Sequence, residues 1–146
     1  MGSRREAREL ALQALYLLDV TDAGDPAGDL AVFWEHFESG NEDRAFAREL
    51  VEGVSAHRER IDGLIGRSAE HWRQPRLSRV DLNVLRLATF ELLGRPEIPA
   101  SVTLNEAVEI ARRFGTADSA AFVNGVLDAI ATALGAKEGE STGGAE

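Results

Sequence analysis

The chain contains no cysteine, which excludes disulfide staples and thiolate metal sites. No uninterrupted apolar run approaches the roughly 18 residues that would span a bilayer. The N-terminus opens on Arg4 and Arg5 but turns amphipathic at Glu6 and Glu9. It lacks the apolar run and small-residue cleavage site of a signal peptide. A cytoplasmic protein without membrane contact is therefore expected. Catalytic signatures are missing too: there is no G-x-x-x-x-G-K-S/T, no G-x-G-x-x-G and no H-E-x-x-H. His36, His57 and His71 are scattered among charged or amphipathic positions, and nothing marks a nucleophile. The expectation is a protein that is not an enzyme and needs no cofactor or metal.

What is present is an ordinary globular composition. With 146 residues, 44% of them hydrophobic, the chain can bury a sizeable core as one domain, or as two small halves sharing one. The net charge of −9 argues at first against a nucleic-acid partner, but its distribution is uneven. Residues 21–56 hold nine acids and two arginines, whereas residues 57–79 hold six arginines and three acids. Residues 1–20 are balanced, with three of each. Fifteen of the sixteen cations are arginine.

Periodicity predicts seven helices and no strand. The first covers 3–19, with Ser3 and Glu6 as a capping box and with Leu10, Leu12, Ala14, Leu15, Leu17 and Leu18 reaching well round its circumference. After a Gly- and Pro-containing loop, shorter helices follow at 29–38, 42–56 and 58–72. A second, nearly all-round apolar helix runs from a Ser78 cap to about Leu93. Another ends at Phe114, with Thr103 and Glu106 as its capping box. The last is capped by Asp118 or Ser119 and stops at Gly135. Two very apolar helices, each flanked by amphipathic ones, imply an all-α fold of two packed sub-bundles, about 1–72 and 75–136, in a single domain 1–136. The tail 137–146 is polar and Gly-rich and is expected to be disordered.

Arg4, Arg5 and Arg8 stand in the first two turns of the first helix. Positive charge there opposes the helix dipole, at a cost of roughly 0.3–1 kcal/mol per exposed charge. Arginines at a helix start, where backbone N–H groups already favour anions, make a phosphate-binding corner. The same arginines can equally pair with Glu6, Glu9 or other acids. Arg73, Arg76 and Arg79 form a second cluster around Pro75, either close to the first or in a solvated linker. Phe122, at the margin of its helix's apolar face, reads first as core and second as a platform for an unpaired base. Tyr16 sits at the polar edge of the first helix.

Several long motifs, in order, carry a resemblance. RREARELALQALYLLDV at 4–20, VLRLATFEL at 84–92, IPASVTLNEAVEIARRFG at 98–115 and FVNGVLDAIA at 122–131 resemble successive segments of the NusB family of bacterial transcription antitermination factors. The resemblance runs from about residue 3 to about 134 and is weakest over 21–45. It implies an all-helical, non-enzymatic adaptor that binds boxA-type single-stranded RNA of nascent transcripts, notably from ribosomal RNA operons. It does so together with NusE, which is also a ribosomal small-subunit protein, and helps to load antitermination complexes onto RNA polymerase. Carried over by position, Arg4, Arg5, Arg8, Asp118 and Phe122 are expected at RNA, and Tyr16 and Asp81 at or near the surface shared with the partner protein. Arg76 and Arg79 of the second basic cluster are also expected at RNA, on their charge rather than on the resemblance. Glu6 interrupts what is often a continuous basic run, and with the −9 charge this points to half of a shared RNA site. A homodimer that hides the RNA surface is the competing expectation.

Overall fold

The computed structural model describes residues 3–21, 26–36, 41–70 and 77–135. Every regular element among them is a helix: α1 (Ser3–Val20), α2 (Pro26–His36), α3 (Asn41–Ala56), α4 (Arg58–Ala69), α5 (Arg79–Gly94), α6 (Ala100–Phe114) and α7 (Ser119–Leu134). The all-α, seven-helix expectation holds. The 71–76 linker and the 136–146 tail lie outside the described residues, so Arg73, Arg76 and the expected disorder of the tail do as well.

α5 is the axis of the molecule. Its residues Asn83 to Glu91 are all buried, because α1, α3, α4, α6 and α7 pack around it. α1 contributes Leu10, Leu12 and Leu15, and α3 contributes Leu50, Val51 and Val54, to one continuous apolar cluster shared with α5 and α7. Each fully buried side chain of this kind, such as Leu50, Leu85 or Leu127, contributes about 1.5–3 kcal/mol of transfer free energy. α2 lies against α1, while α4 rests on α5 and α7. At Gly53 of α3 the Phe90 ring occupies the space a Cβ would need. A glycine there lets the α3 backbone meet an aromatic ring directly.

Helix boundaries differ from expectation for local reasons. α2 starts at Pro26, three residues earlier than expected, since proline suits a first turn whose N–H groups need no helical partner. Ser78 caps α5 as expected, accepting from the Asp81 N–H at 3.0 Å. The Thr103–Glu106 capping box does not form. α6 begins at Ala100, where the Pro99 carbonyl accepts from the Val102 and Thr103 N–H groups. Thr103 is thereby buried inside the helix and Glu106 turns to another partner. At α7 the Asp118 side chain makes no capping bond; the Ser119 Oγ instead accepts from the Thr116 N–H. Gly135 closes α7 with φ of 76°, the left-handed conformation that glycine tolerates.

Candidate nucleic-acid interface

The start of α1 is held in a web of ion pairs. Arg5 donates to Glu106 of α6 through Nε at 2.7 Å and a terminal nitrogen at 2.9 Å. This fork-to-fork geometry fixes the guanidinium plane. One turn further, Arg8 makes the same bidentate pairing with Glu91 of α5, both bonds at 2.8 Å. Arg5 is 45% exposed, whereas Arg8 is 5% exposed. Arg4 takes a third course, with its guanidinium carbon 4.0 Å from the centre of the Phe46 ring of α3. Arg95, just past α5, approaches the same ring at 5.1 Å while donating to Glu49 and Glu97, each at 2.6 Å.

The titrations follow these contacts. The hydrogen bond and charge of Glu106 raise the Arg5 pKa above its ordinary value, and Arg5 in turn holds the Glu106 carboxyl below the usual carboxylate range, with burial opposing. The hydrogen bonds that Arg95 donates to Glu97 and Glu49 raise its pKa. Glu106 ought therefore to stabilise the fold above its unfolded value of about 4.5 and to lose that contribution as pH falls through its lower folded-state value. Because Arg5 is nearly half exposed, the contribution is below about 1 kcal/mol. Glu106→Gln should accordingly flatten part of the acid limb of stability and change the neutral-pH urea midpoint little. An unchanged acid limb would contradict the assignment.

The corner continues along α6. Arg113 reaches back to Glu9 of α1 at 2.9 Å, and Arg112 pairs with Glu109 at 2.6 Å. Both arginines are well exposed and stand in the last turn of α6, where cations suit the helix dipole. Asp118 follows, exposed, just before α7. Arg4, Arg5, Arg95, Arg112 and Arg113 thus form a cationic margin in which carboxylates pair with four of the five guanidinium groups. An incoming phosphate would compete with Glu106 and Glu9 for these guanidinium donors.

The opposite end of α1 carries a second polar cluster. Asp19 accepts from Asn83 at 2.9 Å and Arg86 at 3.2 Å. Arg86 also grips Asp62 of α4 at 2.9 and 3.1 Å. Arg79 donates to the main-chain carbonyl of Asp19 at 2.9 Å. Tyr16 and Val20, one turn apart on α1, are 42% and 47% exposed. Asp81, in the first turn of α5, lies at this same end, with one buried carboxylate oxygen lacking a hydrogen bond among the described residues.

The NusB family model matches residues 5–132. The chain belongs to the NusB family. A transcription antitermination protein NusB from Geobacter sp. strain M21 is 50% identical, over 94% of this chain and all of that one. The solved structure of T. maritima NusB is 40% identical, with a TM-score of 0.78 over 88% of this chain and 90% of that one. A crystal structure of antitermination factors NusB and NusE in complex with dsRNA is 30% identical, with a TM-score of 0.77 over 91% of this chain and 98% of that one.

Set beside the positions that the sequence suggested, the geometry divides them. Arg5 and Asp118 lie on the exposed α1–α6–α7 margin, and Arg4 is exposed on the α3 side of α1 over Phe46. Arg8 does not: it is an internal clamp between α1 and α5. Phe122 is 3% exposed and packed into the core, leaving no open ring face for a base. Arg79 stands beside Asp19, about 14 residues and roughly 20 Å along α1 from Arg5, so it does not join the N-terminal cluster. Arg95, Arg112 and Arg113 were missed by the sequence reading. Only the ARRF segment ending α6 offered a local signal, two adjacent cations at a helix C-terminus. No trio of metal-ligating side chains occurs among the described residues, and no described helix is long and apolar enough to cross a membrane.

Proposed function

We propose that the chain is a cytoplasmic, non-enzymatic transcription antitermination adaptor. It binds boxA-type single-stranded RNA jointly with NusE and helps to load the antitermination complex on RNA polymerase. The observation that carries this reading is the Arg4–Arg5 corner, exposed on the rigid, core-anchored α1 of a NusB fold. Arg112, Arg113 and Asp118 extend the surface along α6 towards α7, while Arg8 and Phe122 support it from beneath. The far end of α1, with exposed Tyr16 and Val20 beside Asp81, is the face assigned to the protein partner. Arg79 belongs with that face, and Arg76 of the basic linker is taken as an RNA contact. A balanced margin on an acidic chain binds RNA weakly alone, so a basic partner sharing the RNA raises affinity.

The test is RNA affinity measured with and without NusE over a salt series. NusE should strengthen binding to a boxA oligonucleotide more than to a scrambled one. Arg4→Ala with Arg5→Ala should weaken it while helicity stays intact. The log–log salt slope should shrink by about 0.7 for each single-strand phosphate that the variant no longer neutralises. An unchanged slope and affinity would remove the corner from the RNA surface.

A further inference from the structure

On the other side of α1 from Glu106, a cleft of about 300 Å³ opens between α1 and α3, lined by Arg4, Ala7, Asp43, Phe46, Glu49 and Arg95. Its size is at the lower end of small-ligand sites, which run from about 300 to 1,000 Å³. Phe46 is 6% exposed and has three guanidinium groups within 5.5 Å of its centre: Arg4, Arg95 and the buried Arg8. Arg95 is committed to Glu49 and Glu97. Asp43 is half-buried and has no hydrogen bond or ion pair among the described residues.

We infer that this cleft is a nucleobase pocket that reads a guanine of the bound RNA, with Asp43 accepting from the base edge and Arg4 stacking on its face. The inference rests on the RNA-binding reading above and adds sequence preference to it. Charge excludes a phosphate as occupant: Arg4 and Arg95 are offset by Asp43 and Glu49, so an anion would face an uncompensated carboxylate. A neutral planar ring suits the cleft better, since guanidinium planes stack readily on bases. The Asp43 carboxylate then selects among bases, because it only accepts hydrogen bonds. Guanine presents N1–H and the N2 amino group side by side, matching two carboxylate oxygens. Cytosine and adenine place a ring nitrogen acceptor beside their amino group, and uracil flanks its single N–H with carbonyls. Arg4 joins the two sites, because Arg5, its neighbour in the chain, stands at the phosphate corner.

The experiment uses the full chain with NusE and three labelled probes. These are a short oligouridylate carrying one guanosine, the same oligomer with inosine there (which lacks the N2 amine), and the all-uridine oligomer. The guanosine probe should bind about tenfold more tightly than the all-uridine one, the scale of one good bidentate contact, with inosine between them. Asp43→Asn should erase that order while leaving the all-uridine affinity in place, and Arg5→Ala should weaken all three in parallel. Equal binding of the three probes, or a guanosine preference that survives Asp43→Asn, overturns the pocket and leaves the RNA-binding function standing. Failure of every probe to bind overturns that function and the pocket with it.

Discussion

Arg8→Ala is expected to destabilise the protein by about 3–5 kcal/mol, because it strands the Glu91 carboxylate in the core without its partner. Glu91 is 1% exposed, and its bidentate bonds to Arg8 tie the N-terminal half of α1 to α5, as Asp19 and Arg86 tie its far end. For a chain of this length such a change lowers the melting temperature by about 10 °C, measurable by circular dichroism. Glu91→Ala should cost a comparable amount by leaving the guanidinium unpaired. The pair Arg8→Met with Glu91→Leu should restore most of the stability, since an apolar pair of similar volume needs no compensation. If either single substitution proved neutral, the clamp would be an incidental contact. The same geometry dictates how RNA binding is tested: Arg8→Glu would set two carboxylates against each other in the interior, and reduced RNA affinity there would report unfolding.

The second large effect is at Phe122. Truncation to alanine should cost about 3–5 kcal/mol through the cavity it leaves, while Phe122→Leu should cost less than about 1.5 kcal/mol. The leucine variant separates support from contact. A ring stacked on a base contributes about 1–3 kcal/mol, so its removal would weaken RNA binding several-fold or more. A covered ring contributes nothing directly, and the structure predicts that Phe122→Leu keeps both its fold and its RNA affinity. A folded leucine variant with strongly reduced affinity would show that bound RNA reaches Phe122 after the surface rearranges.

Both effects arise at positions where local pattern and tertiary setting differ. Arg4 and Arg8 stand four residues apart on one helix face, so the sequence treats them alike. In the folded chain Arg4 lies at the surface over Phe46, and Arg8, one turn deeper, is covered by Glu91. The difference is made by a residue 83 positions away, which no helical wheel can include. Thr103 and Glu106 make the same point. Their spacing suits a capping box, but Pro99 starts the helix earlier, and Glu106 becomes the partner of Arg5 across 101 residues.

By itself the sequence determined the seven helices, their order, the two whose apolar residues run nearly all the way round, and the arginines that open α1. Those features depend on interactions within about four residues, where side-chain period and capping chemistry act. The tertiary structure alone decided which of those arginines meets solvent, which acid each one holds, and that Arg79 lies at the far end of α1. Ion pairs and burial join helices distant in sequence, and a charge's role follows from the dielectric and the partners that packing gives it. The Arg-bearing helix start is thus two things at once, an internal clamp at Arg8 and an open corner at Arg4 and Arg5.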